Sequence, residues 1–237
     1  MLKHLQNDLQ KLADWQKAKL LARYFKTGKG EYGEGDVFLG ITVPEQRKIA
    51  IKYKTLDLRE IQQLLNSKIH EERLVALLIL VEQYKKANDL IKKKIFDFYL
   101  KNTKKINNWD LVDLSAHIIL GNYLLYRDRS VVYRLAESKN LWERRIAVLT
   151  TFRFIKYNQF EDALKIGQIL LKDKHGLIQK AVGWMLREIG KQDQKVEEEF
   201  LKKNYKIMPR TMLRYAIEKF AESKRKFYLA KSHSGKR

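Results

Sequence analysis

The feature that most constrains this chain of 237 residues is a short pattern that recurs along it. In each copy a small or β-branched residue lies among aliphatic and charged neighbours. The corresponding positions are Ala76, Val112, Ala147, Ala181 and Ala216, separated by 36, 35, 34 and 35 residues. Two helices and two short turns fill a period of that length. Each copy is therefore predicted to be a helical pair that stacks on its neighbours.

The whole chain is predicted to be all-α. Apolar residues recur every three to four positions, and Pro44 and Pro209 are the only prolines. Stacked pairs of about 35 residues, with a small residue at the closest approach, describe a HEAT-like helical-repeat solenoid with a concave basic groove. Residues 1–222 are predicted to form this single domain. The basic segment 223–237, which lacks a sustained apolar period, is predicted to be a disordered tail.

The apolar spacing also predicts where the helices lie. A first helix is expected over residues 2–25. Its predicted buried stripe includes Leu5, Leu9, Leu12, Trp15 and Leu20. Further helices are predicted at roughly 44–54, 57–66, 70–86, 89–102, 108–120, 128–137, 140–156, 160–171, 174–190, 194–203 and 209–222. Asp57 and Asn88 are predicted N-caps.

A glycine-rich stretch interrupts the helical pattern between Thr27 and Asp36. It holds four of the eleven glycines, a density that a helix does not tolerate. The stretch lacks the spacing of a phosphate-binding G-x-x-x-x-G-K-[ST] loop and follows a helix rather than a strand. A flexible surface loop near the ligand is the favoured interpretation.

The charge balance indicates the kind of partner. The chain has 49 Lys and Arg against 28 Asp and Glu, a formal net charge of +21, which favours a polyanion, most commonly nucleic acid. An anionic membrane surface is the competing interpretation, but no apolar run approaches the ~18 residues of a membrane span. Cysteine is absent, which excludes disulfides and thiolate chemistry. We expect a cytoplasmic, intracellular monomer without a membrane partner.

One stretch could carry chemistry. If residues 108–114 are helical, Trp109 and Asp113 share a face, although a buried tryptophan beside a solvated aspartate is an equally ordinary pattern. Lys180, Trp184 and Arg187 share a second stripe, and Trp184 is either packed between repeats or placed on a nucleic-acid surface. The five scattered histidines form no metal motif, so no metal or other cofactor is expected.

Several blocks resemble the AlkD-type DNA alkylation repair family, the HEAT-like-repeat DNA glycosylases, over almost the whole chain. The blocks are Ala22-Arg23-Tyr24, Phe38-Leu39-Gly40-Ile41 with Pro44, Trp109-Asp110-Leu111-Val112-Asp113, Leu141-Trp142-Glu143-Arg144-Arg145, and residues 178–188. The blocks at 109–113 and 178–188 are the most specific. Thr42 departs from the pattern, because it stands where a polar amide side chain can occur.

The resemblance implies a monofunctional glycosylase that hydrolyses the N-glycosidic bond of cationic N3- and N7-alkylpurines in duplex DNA, without swinging the base into a pocket. It implies that Trp109 and Trp184 are the active-site tryptophans and that Asp113 is the catalytic carboxylate. Arg145 and Tyr24 resemble residues that hold the DNA. Charge and position add Arg187, Lys180 and Arg47 as expected phosphate contacts.

Two other functions remain open from the sequence. A non-catalytic helical-repeat protein that recognises unusual DNA structures would share the basic groove and lack turnover. The set of Trp109, Asp113 and Trp184 favours the enzyme, because a pure binder gains nothing from an anion that faces DNA. A scaffold for an acidic protein partner is the third interpretation, and salt-sensitive binding to random duplex DNA would contradict it.

Overall fold

The computed structural model describes residues 1–231, which divide into two compact units. The first unit spans Met1–Ser115 and the second begins at Ala116. Regular structure in residues 1–231 is helical, without a strand, and one isolated parallel bridge joins Val37 to Ile69. The all-α prediction is confirmed, whereas the single domain and the concave groove stay predictions.

The first unit is built around one buried helix. Its helices are α1 (Leu2–Lys11), α2 (Trp15–Tyr24), α3 (Val43–Lys52), α4 (Leu58–Leu65), α5 (His70–Lys86), α6 (Asp89–Lys101), a 3-10 helix (Thr103–Lys105) and α7 (Trp109–Asp113). The central α5 contacts α3, α4, α6 and α7. Its apolar residues surround the helix almost completely, so it is buried on nearly every side.

The second unit is also a succession of helices in which longer buried helices alternate with shorter ones. It contains a π-helical turn (His117–Gly121), α8 (Asn122–Leu124), α9 (Ser130–Ala136), α10 (Leu141–Ile155), α11 (Glu161–Ile169), α12 (Gly176–Gln192), α13 (Gln194–Asn204), α14 (Arg210–Ala216), a 3-10 helix (Ile217–Lys219) and α15 (Glu222–Lys231). Helix α12 packs between α10 and α14, while α9, α11 and α13 lie against this inner row.

The positions aligned by the repeat are all buried. Ala76 lies on α5, Val112 on α7, Ala147 on α10, Ala181 on α12 and Ala216 on α14. Small side chains let neighbouring inner helices approach closely. At Gly183 on α12 a Cβ atom would lie 2.4 Å from a backbone oxygen of α14, so these two helices are in close contact there. The period therefore marks the inner helix of each pair.

The predicted helix over residues 2–25 is wrong in one respect, because it is two helices. The chain breaks at residues 12–14, and Asp14 caps α2 by accepting hydrogen bonds from the backbone N–H groups of Gln16 and Lys17. The second helix consequently turns a different face inward. Leu5 and Leu9 are buried as predicted, but Trp15 is 81% exposed. Leu12 and Leu20 are exposed as well.

Most other helix predictions are confirmed to within a few residues. The Asp57 carboxylate accepts two N–H groups at the start of α4, and the Asn88 side chain accepts one at the start of α6. Pro44 lies in the first turn of α3, which Thr42 and Glu45 close with a capping box. The expected helix at 108–120 is instead α7 followed by the π-helical turn.

The predicted disordered tail needs a correction over its first part. Residues up to Lys231 continue as helix α15, because Tyr228 is buried against the rings of Tyr205 and Phe220. Aromatic packing supplies the contact that the weak apolar period did not indicate. The last part of the predicted tail, residues 232–237, lies outside the described residues.

Candidate functional site

The short helix α7 places the first pair of predicted site residues. Asn108 caps it, its side-chain oxygen accepting the backbone N–H of Trp109 at 2.8 Å. The three central residues, Asp110, Leu111 and Val112, are buried, whereas Trp109 and Asp113 are both partly exposed. The two side chains are one helical turn apart, so they lie on the same face of α7, as the spacing predicted.

Trp109 is fixed by an aromatic cluster in the first unit. Its ring stacks on Phe25 at 4.8 Å between centroids with an 8° interplanar angle, and it meets Tyr24 edge-on at 5.8 Å. Phe25 in turn stacks on Phe38 at 5.0 Å. Tyr24 is 65% exposed. The indole of Trp109 is therefore backed by a rigid aromatic surface, and Tyr24 is available at the margin for contact with a ligand.

Behind α7 lies a buried polar network that the sequence did not reveal. The His70 ring sits between two carboxylates, with Nε2 2.8 Å from Asp110 and Nδ1 3.2 Å from Asp36. The Arg73 guanidinium adds an ion pair to Asp36 at 2.7 Å. The side chains of Asp36, His70 and Asp110 are each less than a tenth exposed. Such a cluster persists only when its charges are paired.

The network shifts the ionisation of its members. Burial lowers the pKa of His70, but the charges and hydrogen bonds of Asp110 and Asp36 outweigh it and raise the pKa to about 9. Burial also opposes ionisation of Asp36, yet its hydrogen bond with His70 and the charge of Arg73 keep its pKa below the ordinary value. His70 is consequently an imidazolium at neutral pH.

The same contacts tie three separate segments together. Asp36 ends the glycine-rich stretch, His70 and Arg73 belong to α5, and Asp110 belongs to α7. The stretch is a series of turns rather than an open loop, since a side chain at Gly33 would strike the backbone carbonyl of Phe25. The network thus fixes the start of α7, and through it the position of Trp109 and Asp113.

The carboxylate of Asp113 lies near a buried tyrosine. Tyr99 is fully buried and hydrogen-bonds to the hydroxyl of Ser115 at 2.8 Å. Burial chiefly, and the negative charge of Asp113 in addition, raise the pKa of Tyr99. Tyr99 therefore stays neutral at this end of α7.

The second unit holds the other predicted tryptophan. Trp184 is partly exposed on α12, and its indole N–H donates to the buried Glu188 at 3.1 Å. Its ring packs against Phe152 at 5.8 Å, and Phe152 meets His117 edge-on at 5.4 Å. Glu188 also pairs with Lys191 at 2.6 Å. Trp184 is thus held at the edge of the core with part of its surface open.

The predicted DNA-binding cations differ in their surroundings. Lys180 on α12 and Arg47 on α3 are exposed. Arg187 forms an ion pair with Glu218. Arg145 is only 5% exposed, and its guanidinium donates to the carbonyl of Leu177 at 2.7 Å, which joins α10 to the start of α12. Contact of any of these side chains with DNA stays a prediction.

Among residues 1–231, His, Asp and Glu side chains form no group of three that could hold a metal ion. No helix in the same part of the chain has the length and apolar character needed to cross a bilayer.

Comparison with known proteins identifies relatives of this chain. A family model described as "DNA alkylation repair enzyme" matches residues 5–220. A predicted DNA alkylation repair enzyme from Enterococcus faecalis superposes with a TM-score of 0.67 at 18% identity, over 89% of this chain and 97% of the other. AlkD2 from Streptococcus mutans gives a TM-score of 0.54 at 21% identity, over 87% and 98%. At these identities the structural likeness shows the fold alone. No curated protein matches the chain.

Proposed function

Because the chain belongs to the DNA alkylation repair enzyme family, whose model covers residues 5–220, we propose that it is a glycosylase for cationic alkylpurines in duplex DNA. The observation that carries the proposal is the geometry of α7. A carboxylate, Asp113, and an indole, Trp109, are presented on one partly exposed face of a helix whose other residues are buried. We take this carboxylate to be the group that meets a cationic substrate on the DNA, to which the net charge of +21 would direct the chain.

The chemistry of an alkylated purine provides that cation. Alkylation at N3 or N7 leaves a positive charge on the base, and breaking the bond to the sugar transfers positive charge to the deoxyribose as an oxocarbenium ion. A fixed carboxylate beside the sugar stabilises this developing charge and can orient the attacking water. We assign that role to Asp113. The aromatic face of Trp109 adds cation–π attraction of roughly 0.5–2 kcal/mol.

The same chemistry accounts for a simple catalytic apparatus. A cationic base departs as a neutral molecule, so it needs no strong general acid to protonate it. Water is the nucleophile, so no lysine Schiff base is required. The proposed enzyme is therefore monofunctional. Trp109 and Asp113 lie at the surface of α7, which supports attack on a base that remains in the duplex.

Binding to duplex DNA follows from charge and from the exposed aromatic side chains. The excess of Lys and Arg favours contact with phosphates, and exposed Arg47 and Lys180 are the best-placed of the predicted cations. Tyr24 and Trp184 offer ring surfaces to sugars or bases. In this structure Arg145 donates to the Leu177 carbonyl and Arg187 pairs with Glu218. We propose that each of them contacts a phosphate only after it has left this partner on DNA binding.

A base-release assay tests the proposal. Duplex DNA treated with a methylating agent is incubated with the wild type and with two variants, and released 3-methyladenine and 7-methylguanine are separated by chromatography. Asp113→Asn is expected to lower the rate about 100-fold or more, since a missing preorganised charge has costs of that order. Asp97→Asn removes an exposed carboxylate on α6 and should leave the rate unchanged.

Each result has a definite meaning. Full release by Asp113→Asn contradicts the catalytic role of Asp113. No release of either base by the wild type contradicts the glycosylase itself, and salt-sensitive DNA binding without release favours the non-catalytic alternative.

A further inference from the structure

A pocket of about 330 Å³ opens in the first unit, behind Trp109. Helix α2, the extended segment 38–42 and the first turns of α3 form its walls. Its floor includes His70, Glu71 and Asp110. Asp113 does not line it, so it is distinct from the surface where we place the chemistry. Its size falls within the range of ligand-binding pockets, roughly 300–1,000 Å³.

The walls suit a flat apolar group. Phe25 and Phe38 line the pocket with their rings stacked at 5.0 Å, and the exposed side chains of Tyr24 and Leu20 form part of its mouth. Aromatic side chains favour offset or edge contacts with another ring. Trp109, Phe25, Phe38 and His70 form one continuous stack, so Phe25 and Phe38 offer ring edges to a ligand. The exposed ring of Tyr24 can offer a face.

The acidic groups on the floor are already compensated. The Glu71 carboxylate accepts the backbone N–H groups of Leu39, Gly40 and Ile41 at 3.0, 2.8 and 3.3 Å. Asp110 pairs with the His70 imidazolium. Lys17, which also lines the pocket, pairs with Asp14 at 3.1 Å, so each charged side chain of the lining has a partner of opposite charge or a set of N–H donors. A neutral ligand fits it better than a phosphate or a metal.

One polar group in the wall lacks a partner. Gln46 is only 3% exposed, and its side-chain N–H donates to the Ile41 carbonyl at 2.8 Å. Its other end, the oxygen Oε1, is buried and accepts no hydrogen bond within residues 1–231. A buried acceptor left unsatisfied is unfavourable. Gln46 lines the pocket, so a rotation of its side chain that turns Oε1 to the cavity would let a ligand N–H satisfy it.

We propose that this pocket binds a single neutral heteroaromatic base, which stacks on the exposed ring of Tyr24, meets the ring edge of Phe38 and donates an N–H to Gln46. Two sources share this chemistry, a free base such as the one released in the proposed reaction and an unpaired base of a bound strand. The inference rests on the proposed function only for the first source. Phe25 lines the pocket and stacks on Trp109, so a bound ligand would contact the ring that holds Trp109 in place.

The ligand is tested with 2-aminopurine, whose fluorescence is quenched by aromatic stacking. Three probes distinguish the sources: the free riboside, a duplex with one unpaired 2-aminopurine, and a duplex with the same base paired. We expect saturable quenching of the riboside that changes little with salt. A response to the unpaired base alone would assign the pocket to a strand instead of a free base.

Variants locate the binding. Val43→Trp fills the pocket and should abolish quenching, whereas Ile51→Trp adds the same ring to an exposed position of α3 outside the pocket. Leu20→Asp changes only an exposed side chain at the mouth, so it should fold normally and weaken binding several-fold. Gln46→Met removes the acceptor at similar volume, with an expected loss of about tenfold.

The proposal is overturned in either of two ways. One is equal quenching by Val43→Trp and Ile51→Trp, with Leu20→Asp also unchanged. The other is the absence of saturable quenching of both the riboside and the unpaired base at millimolar protein. Unchanged binding by Gln46→Met overturns the hydrogen bond assigned to Gln46. None of these assays requires base release, so failure here is separate from failure of the glycosylase.

Discussion

The buried imidazolium of His70 makes the stability of the protein depend on pH in a definite direction. In the folded chain the pKa of His70 is raised to about 9 from an ordinary value of 6.5. Since the folded state holds the proton more tightly, the stabilisation is fully present below pH 6.5. It is lost as the pH rises towards 9. At about 1.4 kcal/mol per pH unit, the loss amounts to about 3 kcal/mol.

The assay compares urea denaturation of the wild type and His70→Gln at pH 6.0, 7.5 and 9.5. The variant keeps one donor but leaves the carboxylates of Asp36 and Asp110 without their cation. Its deficit in free energy of unfolding should be largest at pH 6.0 and should shrink at pH 9.5. His4→Gln, at an exposed position of α1, serves as the control and should follow the wild type throughout.

Direct titration of the imidazole by NMR provides the sharper measurement. The ring signals of His70 should remain those of the protonated form at pH 7.5. A midpoint near 6.5 or below would refute the reasoning, as would a stability deficit in His70→Gln that does not change with pH. Either result would mean that the carboxylates do not outweigh the burial of the ring.

Three further outcomes follow from other parts of the molecule. Gly183→Ala should destabilise the second unit by roughly 1–3 kcal/mol, because its Cβ would strike the backbone of α14, whereas Gly176→Ala meets nothing within 4 Å and should be tolerated; thermal melts measure both. Glu197 is buried, its Oε1 has no hydrogen-bond partner among residues 1–231, and burial raises its pKa to about 9, so Glu197→Gln should raise the urea midpoint at pH 8 and leave it unchanged at pH 4. Arg47→Ala and Lys180→Ala should each remove about one phosphate contact. Each should therefore reduce the slope of log affinity for DNA against log salt concentration by about 1.

The parts of the fold that were predictable depend on local spacing. Helix α5 shows its long apolar run, Leu74–Val81, within its own residues, and Asp57 and Asn88 cap the helices that follow them directly. The first helix was mispredicted because its apolar pattern runs on through Trp15, while the capping aspartate at position 14 starts a new helix with a different inward face.

In the candidate site, too, features that depend on local spacing were predictable and contacts between distant residues were not. Trp109 and Asp113 are four residues apart, so their shared face follows once the segment is helical. Arg145 shows the limit, because its arginine-rich block indicates a cation but gives no sign that the guanidinium is buried against the Leu177 carbonyl. Arg187 is similar, since Glu218 lies 31 residues further along the chain.

By itself, the sequence determined the repeat, the all-α fold and the pairing of an aromatic ring with a carboxylate on α7, because helical periodicity is written in neighbouring residues. Only the tertiary structure decided what holds that pair in place. His70 is 34 residues from Asp36 and 40 from Asp110, and the aromatic rings behind Trp109 come from residues 25 and 38. Contacts across such separations depend on how the helices pack. The spacing of neighbouring residues therefore does not predict which distant carboxylate will contact a given buried ring.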